Sequence, residues 1–141
     1  GEYVLPIGVA DIKREGSDVT IVSFGKIIKE AYTAADQLEK EGISCEIIDL
    51  RTVRPYDKEA ILKSVKKTNR LIILEEAWPF GNVSTEISHM VQAEAFDYLD
   101  APIYKINTQD TPAPYSPALF AEWLPNASHV VEGVKKVMYR K

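Results

Sequence analysis

The sequence predicts an α/β fold: a mostly parallel sheet with helices packed on both of its faces. Two observations predict it. Short apolar runs at Val19–Phe24 (V-T-I-V-S-F), Cys45–Leu50 (C-E-I-I-D-L) and Leu71–Leu74 (L-I-I-L) are rich in β-branched residues, as strands buried on both faces are. The segments between them carry apolar residues at helical spacing, and strands alternating with helices require crossovers and hence parallel pairing.

Ahead of the first buried strand, Ala10–Lys13 alternates polar and apolar residues, which suits an edge strand free to run antiparallel. Val19–Phe24 closes on Gly25. Ile27, Ile28, Ala31, Ala34, Ala35 and Leu38 then line one face of a helix that stops at Gly42. After Cys45–Leu50, Pro55 and Asp57 open a second helix carrying Ile61, Leu62 and Val65. Leu71–Leu74 leads through the loop Trp78-Pro79-Phe80-Gly81-Asn82 to a helix marked by Ile87, Met90 and Val91. Ile103–Ile106, preceded by Pro102, is the next strand. Val130, Val134, Val137 and Met138 form the stripe of the last helix. Between these, residues 111–125 hold four of the eight prolines, together with Tyr115, Phe120 and Trp123. Proline there forbids a regular ladder and favours an extended, semi-rigid path. Such a path serves either as a connection packed on its own domain or as a surface for another subunit.

A chain of 141 residues makes one domain, residues 1–141, with a core that needs neither disulfide nor metal. The net charge of −4 gives no general reason to bind nucleic acid. The basic clusters at Lys63, Lys66, Lys67 and Arg70, and at Lys135, Lys136, Arg140 and Lys141, read as helix C-termini, where cations oppose the dipole. Cys45 is the single cysteine, so no internal disulfide forms and a reducing compartment is expected. No apolar run reaches the ~20 residues that cross a bilayer. The opening Gly1-Glu2-Tyr3-Val4-Leu5-Pro6 has no signal-peptide pattern. Cytoplasm, or a mitochondrial matrix, is the expected location. Because the first residue is not Met, the chain is expected to begin inside a longer protein.

The search for chemistry is mostly negative. His89 lies off its helix stripe, in a solvated position, and His129 falls in the first turn of the last helix, where the dipole disfavours imidazolium. One Cys and two distant His have no zinc spacing, and there is neither a G-x-G-x-x-G nor a P-loop. Open α/β sheets place ligands at the C-terminal ends of their strands. The groups expected there are Gly25 and Lys26, then Asp49, Arg51 and Arg54, then Glu75, Glu76 and Trp78. Adjacent strand residues point to opposite faces, so Glu75 and Glu76 do not share a pocket. The ordinary role for one of them is to pair with Arg51 or Arg54. The other role is an anion cleft at Gly25, Glu76, Asn82 and Ser84, using helix N–H groups.

Several strings closely resemble the beta subunit of the decarboxylating component of 2-oxoacid dehydrogenases, the pyruvate enzyme above all. They are Leu50–Asp57 (L-R-T-V-R-P-Y-D), Ser64–Leu71 (S-V-K-K-T-N-R-L) and Glu75–Pro79 (E-E-A-W-P). The resemblance starts at Leu5–Gly16 (L-P-I-G-V-A-D-I-K-R-E-G). It continues through Phe96–Pro102 (F-D-Y-L-D-A-P) and Thr111–Tyr115 (T-P-A-P-Y) to Val134–Tyr139 (V-K-K-V-M-Y), nearly the whole chain. Transketolase has a related last domain.

The resemblance implies a three-layer α/β/α domain with a five-stranded mixed sheet, order 1-3-2-4-5 and strand 1 antiparallel. It implies a C-terminal domain whose parent enzyme uses thiamine diphosphate and Mg²⁺, held mainly by the alpha subunit and by an earlier beta domain. On that reading this domain binds neither cofactor and contributes no catalytic residue. The parent reaction would be decarboxylation of pyruvate with acetyl transfer to a lipoyl group; a branched-chain 2-oxoacid is the alternative substrate. A stand-alone anion-binding module is the alternative role. The implied partners are the alpha subunit, a second beta subunit in an α₂β₂ heterotetramer, and the subunit-binding domain of the dihydrolipoyl acetyltransferase core. No nucleic acid and no membrane is implied. Family members dock that domain through an acid in the F-x-Y/F-L-D-A-P segment and through the chain terminus, which match Asp100 and Lys141 here. Both would attract a basic partner, whereas the tail Tyr139-Arg140-Lys141 is itself basic. Tyr115 and Trp123 are the further expected partner contacts.

Overall fold

The structure, a computed structural model, describes residues 4–141; Gly1, Glu2 and Tyr3 of the opening segment lie outside the described residues. Five strands form one sheet: β1 (Asp11–Arg14), β2 (Val19–Ser23), β3 (Cys45–Asp49), β4 (Leu71–Leu74) and β5 (Tyr104–Ile106). Their order is β1-β3-β2-β4-β5, with β1 antiparallel to β3 and the other pairs parallel. This is the order and the direction that the resemblance implies.

Alternation along the strands builds two cores. Val19, Ile21, Ile47, Ile72 and Leu74 face α1 (Ile28–Glu39) and α5 (Ala127–Val137). Val22, Ile48, Leu71 and Ile73 face α2 (Lys58–Thr68) and α3 (Val83–Ala95). Every residue of β2 and β4 is buried, which is why their sequences do not alternate. Fully burying one such aliphatic side chain contributes roughly 1.5–3 kcal/mol, so the two cores dominate the stability.

The sequence-derived boundaries move by a residue or so. β1 begins at Asp11 instead of Ala10, and β5 begins at Tyr104 instead of Ile103. Pro55 precedes α2 rather than opening it; Asp57 is the N-cap and accepts the Ala60 N–H at 3.1 Å. The larger correction concerns residues 111–125. A helix, α4 (Pro117–Trp123), interrupts the expected extended path. Pro117 occupies its first turn, where the missing N–H costs nothing, and the next proline comes only at Pro125. A short 3₁₀ turn at Phe96–Tyr98, also unanticipated, follows α3.

A polar seam ties β2, β3 and α2 together inside the second core. Ser64 Oγ donates to Glu46 Oε2 at 2.5 Å, and Thr20 Oγ1 lies 2.6 Å from Ser64 Oγ and 2.7 Å from Thr68 Oγ1. With the Ser64 proton committed to the carboxylate, Thr20 donates to Ser64, and the single Thr68 proton has either Thr20 or the Arg70 carbonyl, at 3.1 Å, as its acceptor. Glu46 is buried, and Lys67 Nζ and the Gly16 N–H complete its coordination. A buried carboxylate is tolerated because its oxygens are satisfied.

Gly16 sits against the backbone of β3. A Cβ there would lie 2.2 Å from the Cys45 carbonyl carbon and 2.4 Å from the Glu46 nitrogen. Gly16→Ala is expected to destabilise the chain by about 2–3 kcal/mol, read from urea denaturation midpoints. Burial pushes the Cys45 thiol up to about 12. Iodoacetamide at neutral pH is therefore expected to leave the native chain unlabelled and to modify Cys45 only after unfolding, as mass spectrometry would record.

Candidate functional site

The C-terminal strand ends converge on Glu75, the residue after β4. Its side chain is fully buried. Oε1 accepts from Asn107 Nδ2 at 2.8 Å and Oε2 from the Ser84 N–H at 3.3 Å, while its own N–H reaches the Ile106 carbonyl at 3.1 Å. Asn82, the N-cap of α3, accepts the Thr85 N–H at 3.2 Å and the Ser84 hydroxyl at 2.6 Å, and its amide donates to the Trp78 carbonyl. The positive end of α3 therefore holds a carboxylate from its own chain.

This arrangement corrects two expectations. Among the described residues neither arginine forms an ion pair with Glu75 or Glu76; Arg51, whose φ is 59°, bonds Asp11 Oδ2 through Nη2 at 2.7 Å. The hydrogen bond from Lys13, with Arg51 beside it, holds the Asp11 carboxyl below its ordinary range. Nor are the helix N–H groups of the expected anion cleft all free, since the Ser84 N–H donates to Glu75. Asn82 and Ser84 come together with buried Glu75, whereas Glu76 is exposed and Gly25, at φ +73°, borders open space. Asn107 escaped notice in the sequence; its only signal is an amide placed directly after a strand beside an acidic strand end. His89 is exposed, and His129 accepts the Asn126 N–H on Nδ1 at 3.1 Å as part of a capping box.

Clefts open on the surface. One, of about 900 Å³, lies between the N-terminal ends of α2 and α3 and is lined by Val53, Arg54, Tyr56, Asn82, Val83 and Thr85. A second, of about 580 Å³, runs between α3, the 3₁₀ turn and the residues after α5, and Asp100 forms part of its wall. A third, of about 310 Å³, lies beside β5 and the start of α5.

Tyr115 and Trp123 lie on the strap of residues 109–124. The indole N–H groups of Trp78 and Trp123 both donate to the Thr111 carbonyl at 2.9 Å. Gln109 bonds the Trp123 carbonyl through its N–H and the Glu122 carbonyl through its side chain. The Phe120 and Trp123 rings stack at 5.5 Å. Trp123 is half-buried and anchors the strap, whereas Tyr115 is fully exposed, and Phe80, Leu119 and Phe120 are exposed too. Asp100 and Lys141 are exposed too, Asp100 with Arg70 Nη2 3.9 Å away.

A three-layer sandwich with this strand order and helix-capped strand ends defines a class of α/β domain. Residues 8–130 match the family model for the transketolase C-terminal domain, and the chain belongs to that family. It is similar to the pyruvate dehydrogenase E1 component subunit beta of Rickettsia conorii, 51% identical over 135 residues that cover 96% of this chain and 41% of that protein. The acetoin:2,6-dichlorophenolindophenol oxidoreductase subunit beta of Bacillus subtilis is 46% identical over 92% of this chain and 38% of its own length. A solved split-gene transketolase, described as an inactive beta4 tetramer, superposes with a TM-score of 0.85 at 28% identity, covering 97% of this chain and 44% of that one. The chain thus spans about two fifths of the relatives it matches. The C-terminal beta-subunit domain that the sequence resembles is the match obtained. Among the described residues no helix is long and apolar enough to cross a membrane.

Glu75→Ala removes an acceptor from the half-buried Asn107 amide and the buried Ser84 N–H. It is expected to lower stability by about 2–3 kcal/mol, measured by chemical denaturation, with Glu75→Gln recovering part of the loss.

Proposed function

We propose that the chain is the C-terminal domain of the beta subunit of a thiamine-diphosphate-dependent pyruvate dehydrogenase, and that its own work is assembly and docking. The observation that carries this is the strap: an ordered segment that leaves Tyr115, Leu119 and Phe120 in solvent. Ordering a chain costs roughly 1–2 kcal/mol per residue, and burial usually offsets that cost. A surface held in place yet left apolar has the character of an interface. The partners on this reading are the alpha subunit and a second beta subunit. The subunit-binding domain of the dihydrolipoyl acetyltransferase core would dock near Asp100 and Lys141.

The residues present do not fit the cofactor. Among the described residues no three His, Cys, Asp or Glu side chains gather around a possible metal position. The helix N-terminus best placed for a pyrophosphate holds Glu75 instead. Binding of thiamine diphosphate and Mg²⁺ is accordingly assigned to parts of the parent enzyme outside this chain. Relatives named for pyruvate and for acetoin match the domain at similar identity, so the choice of substrate is also assigned elsewhere. The bacterial cytoplasm is the proposed location.

Calorimetric titration with thiamine diphosphate and Mg²⁺ is expected to show no binding, and micromolar affinity would overturn the assignment. Light scattering at micromolar concentration is expected to give the mass of a dimer. Tyr115→Asp combined with Phe120→Asp should give a monomer with an unchanged thermal midpoint. A wild-type monomer at every concentration would remove subunit pairing from this domain.

A further inference from the structure

The cleft between the N-terminal ends of α2 and α3 stands where the loops after β3 and β4 leave the C-terminal edge of the sheet. Open α/β sheets bind ligands along that edge. Both walls are held by hydrogen bonds. On the α2 side the Gly8 N–H donates to Thr52 Oγ1 and the Ala10 N–H to Asp57 Oδ2, each at 2.9 Å. On the α3 side Lys105 Nζ donates to the Pro79 carbonyl at 2.7 Å and to Thr85 Oγ1 at 2.8 Å. The cleft is therefore formed before anything enters it, which lowers the entropic cost of binding.

Its lining combines an apolar surface with one unpaired charge of each sign. Val53, Tyr56 and Val83 supply the apolar part, and Tyr56 and Val83 are half-buried. Lys58 is neutralised by its ion pair with Glu94. The first-turn N–H groups of Ser84 and Thr85 already donate to Glu75 and Asn82, so the helix end offers an outside anion little. What remains are Arg54 and Glu86, both exposed, both lining the cleft, and neither in an ion pair with any described residue. Because they do not bond each other, the space between them is open to a molecule that carries both charges. A simple anion would meet Glu86 and a simple cation would meet Arg54, and like-charge juxtaposition excludes a ligand. Burial raises the Tyr56 phenol above its ordinary value, with Lys58 opposing the effect and Glu86 and Glu94 adding to it. At neutral pH the phenol thus keeps its proton, and among the described residues its hydroxyl has no hydrogen-bond partner.

We infer that this cleft is a small-molecule site for a zwitterion with an apolar body, a branched or aromatic α-amino acid being the simplest case. The carboxylate meets Arg54 and the Tyr56 hydroxyl, the ammonium meets Glu86, and the side chain lies on Val53 and Val83. This binding role is separate from the strap and does not depend on the assembly role.

Calorimetric titration of the chain with L-phenylalanine and with L-leucine tests it. Each amino acid is paired with its N-acetyl form, which lacks the ammonium, and with its decarboxylated amine, which lacks the carboxylate. At least one of the two amino acids is expected to bind with a Kd of about 1 mM or below. Both of its analogues should bind about tenfold more weakly or worse, the loss expected for one charge-assisted hydrogen bond. Glycine, which lacks the apolar body, should not bind measurably. Arg54→Gln should bring the amino acid down to the level of its amine, and Glu86→Gln down to the level of its N-acetyl form. Both positions are exposed, and an unchanged unfolding midpoint separates lost binding from misfolding. No binding of either amino acid at about 10 mM would overturn the inference. Equal binding of the amino acid and of glycine or either analogue would overturn it too. So would binding that survives both substitutions together, because the ligand would then sit elsewhere on the surface.

Discussion

Strands β2 and β4 are buried on both faces, and most of the remaining architecture is the consequence. A parallel strand cannot return to its neighbour by a hairpin, so each pairing needs a crossover, and each crossover helix covers one face of the sheet. Helices α1 and α5 take one face, α2 and α3 the other. Only β1, which runs antiparallel at the edge, escapes that requirement, and only β1 among the longer strands carries a mixed polar pattern with no fully buried residue. The strand ends therefore line up on one side of the domain, and the loops that follow them become the available surface.

Two carboxylates are spent inside this frame on structure. Glu46 terminates the hydroxyl chain from Thr68 through Thr20 and Ser64, and so fixes the register of α2 on the sheet. Glu75 joins β4, the first turn of α3 and Asn107 after β5. A buried acid at a strand end is the usual mark of a catalytic or ligand-binding centre in an open α/β sheet. Here its hydrogen bonds are all internal, and the same geometry that satisfies it closes the nearest helix N-terminus to an outside anion.

Hydrogen-bonded order extends to the surface as well. The two indoles on the Thr111 carbonyl hold the strap, and the Asn69 contacts hold the turn beside Asp100. In both places apolar side chains are presented by backbone that is already fixed. Such a surface loses less conformational entropy on association than a flexible one would. On the proposed reading, that is the physical sense in which such a surface would set which subunits meet.

By itself the sequence determined the layers of this protein. Unbroken apolar strands, helical stripes at Ala31, Ala34 and Leu38 or at Val130, Val134 and Val137, and motif strings from end to end carried the fold and the family, because those signals are local and periodic. Tertiary structure alone decided where the polar groups went. Glu75 and Asn107 are 32 positions apart, and Trp78 and Thr111 are 33 apart, so no spacing rule pairs them. The helix at Pro117–Trp123 was hidden by the prolines in and around it, although proline in a first turn is compatible with helix. Arg51 was drawn to Asp11 by a backbone turn that residue identity does not announce. Hydrogen bonds between distant segments depend on how the crossovers bring them together, and that is settled only when both faces of the sheet are covered.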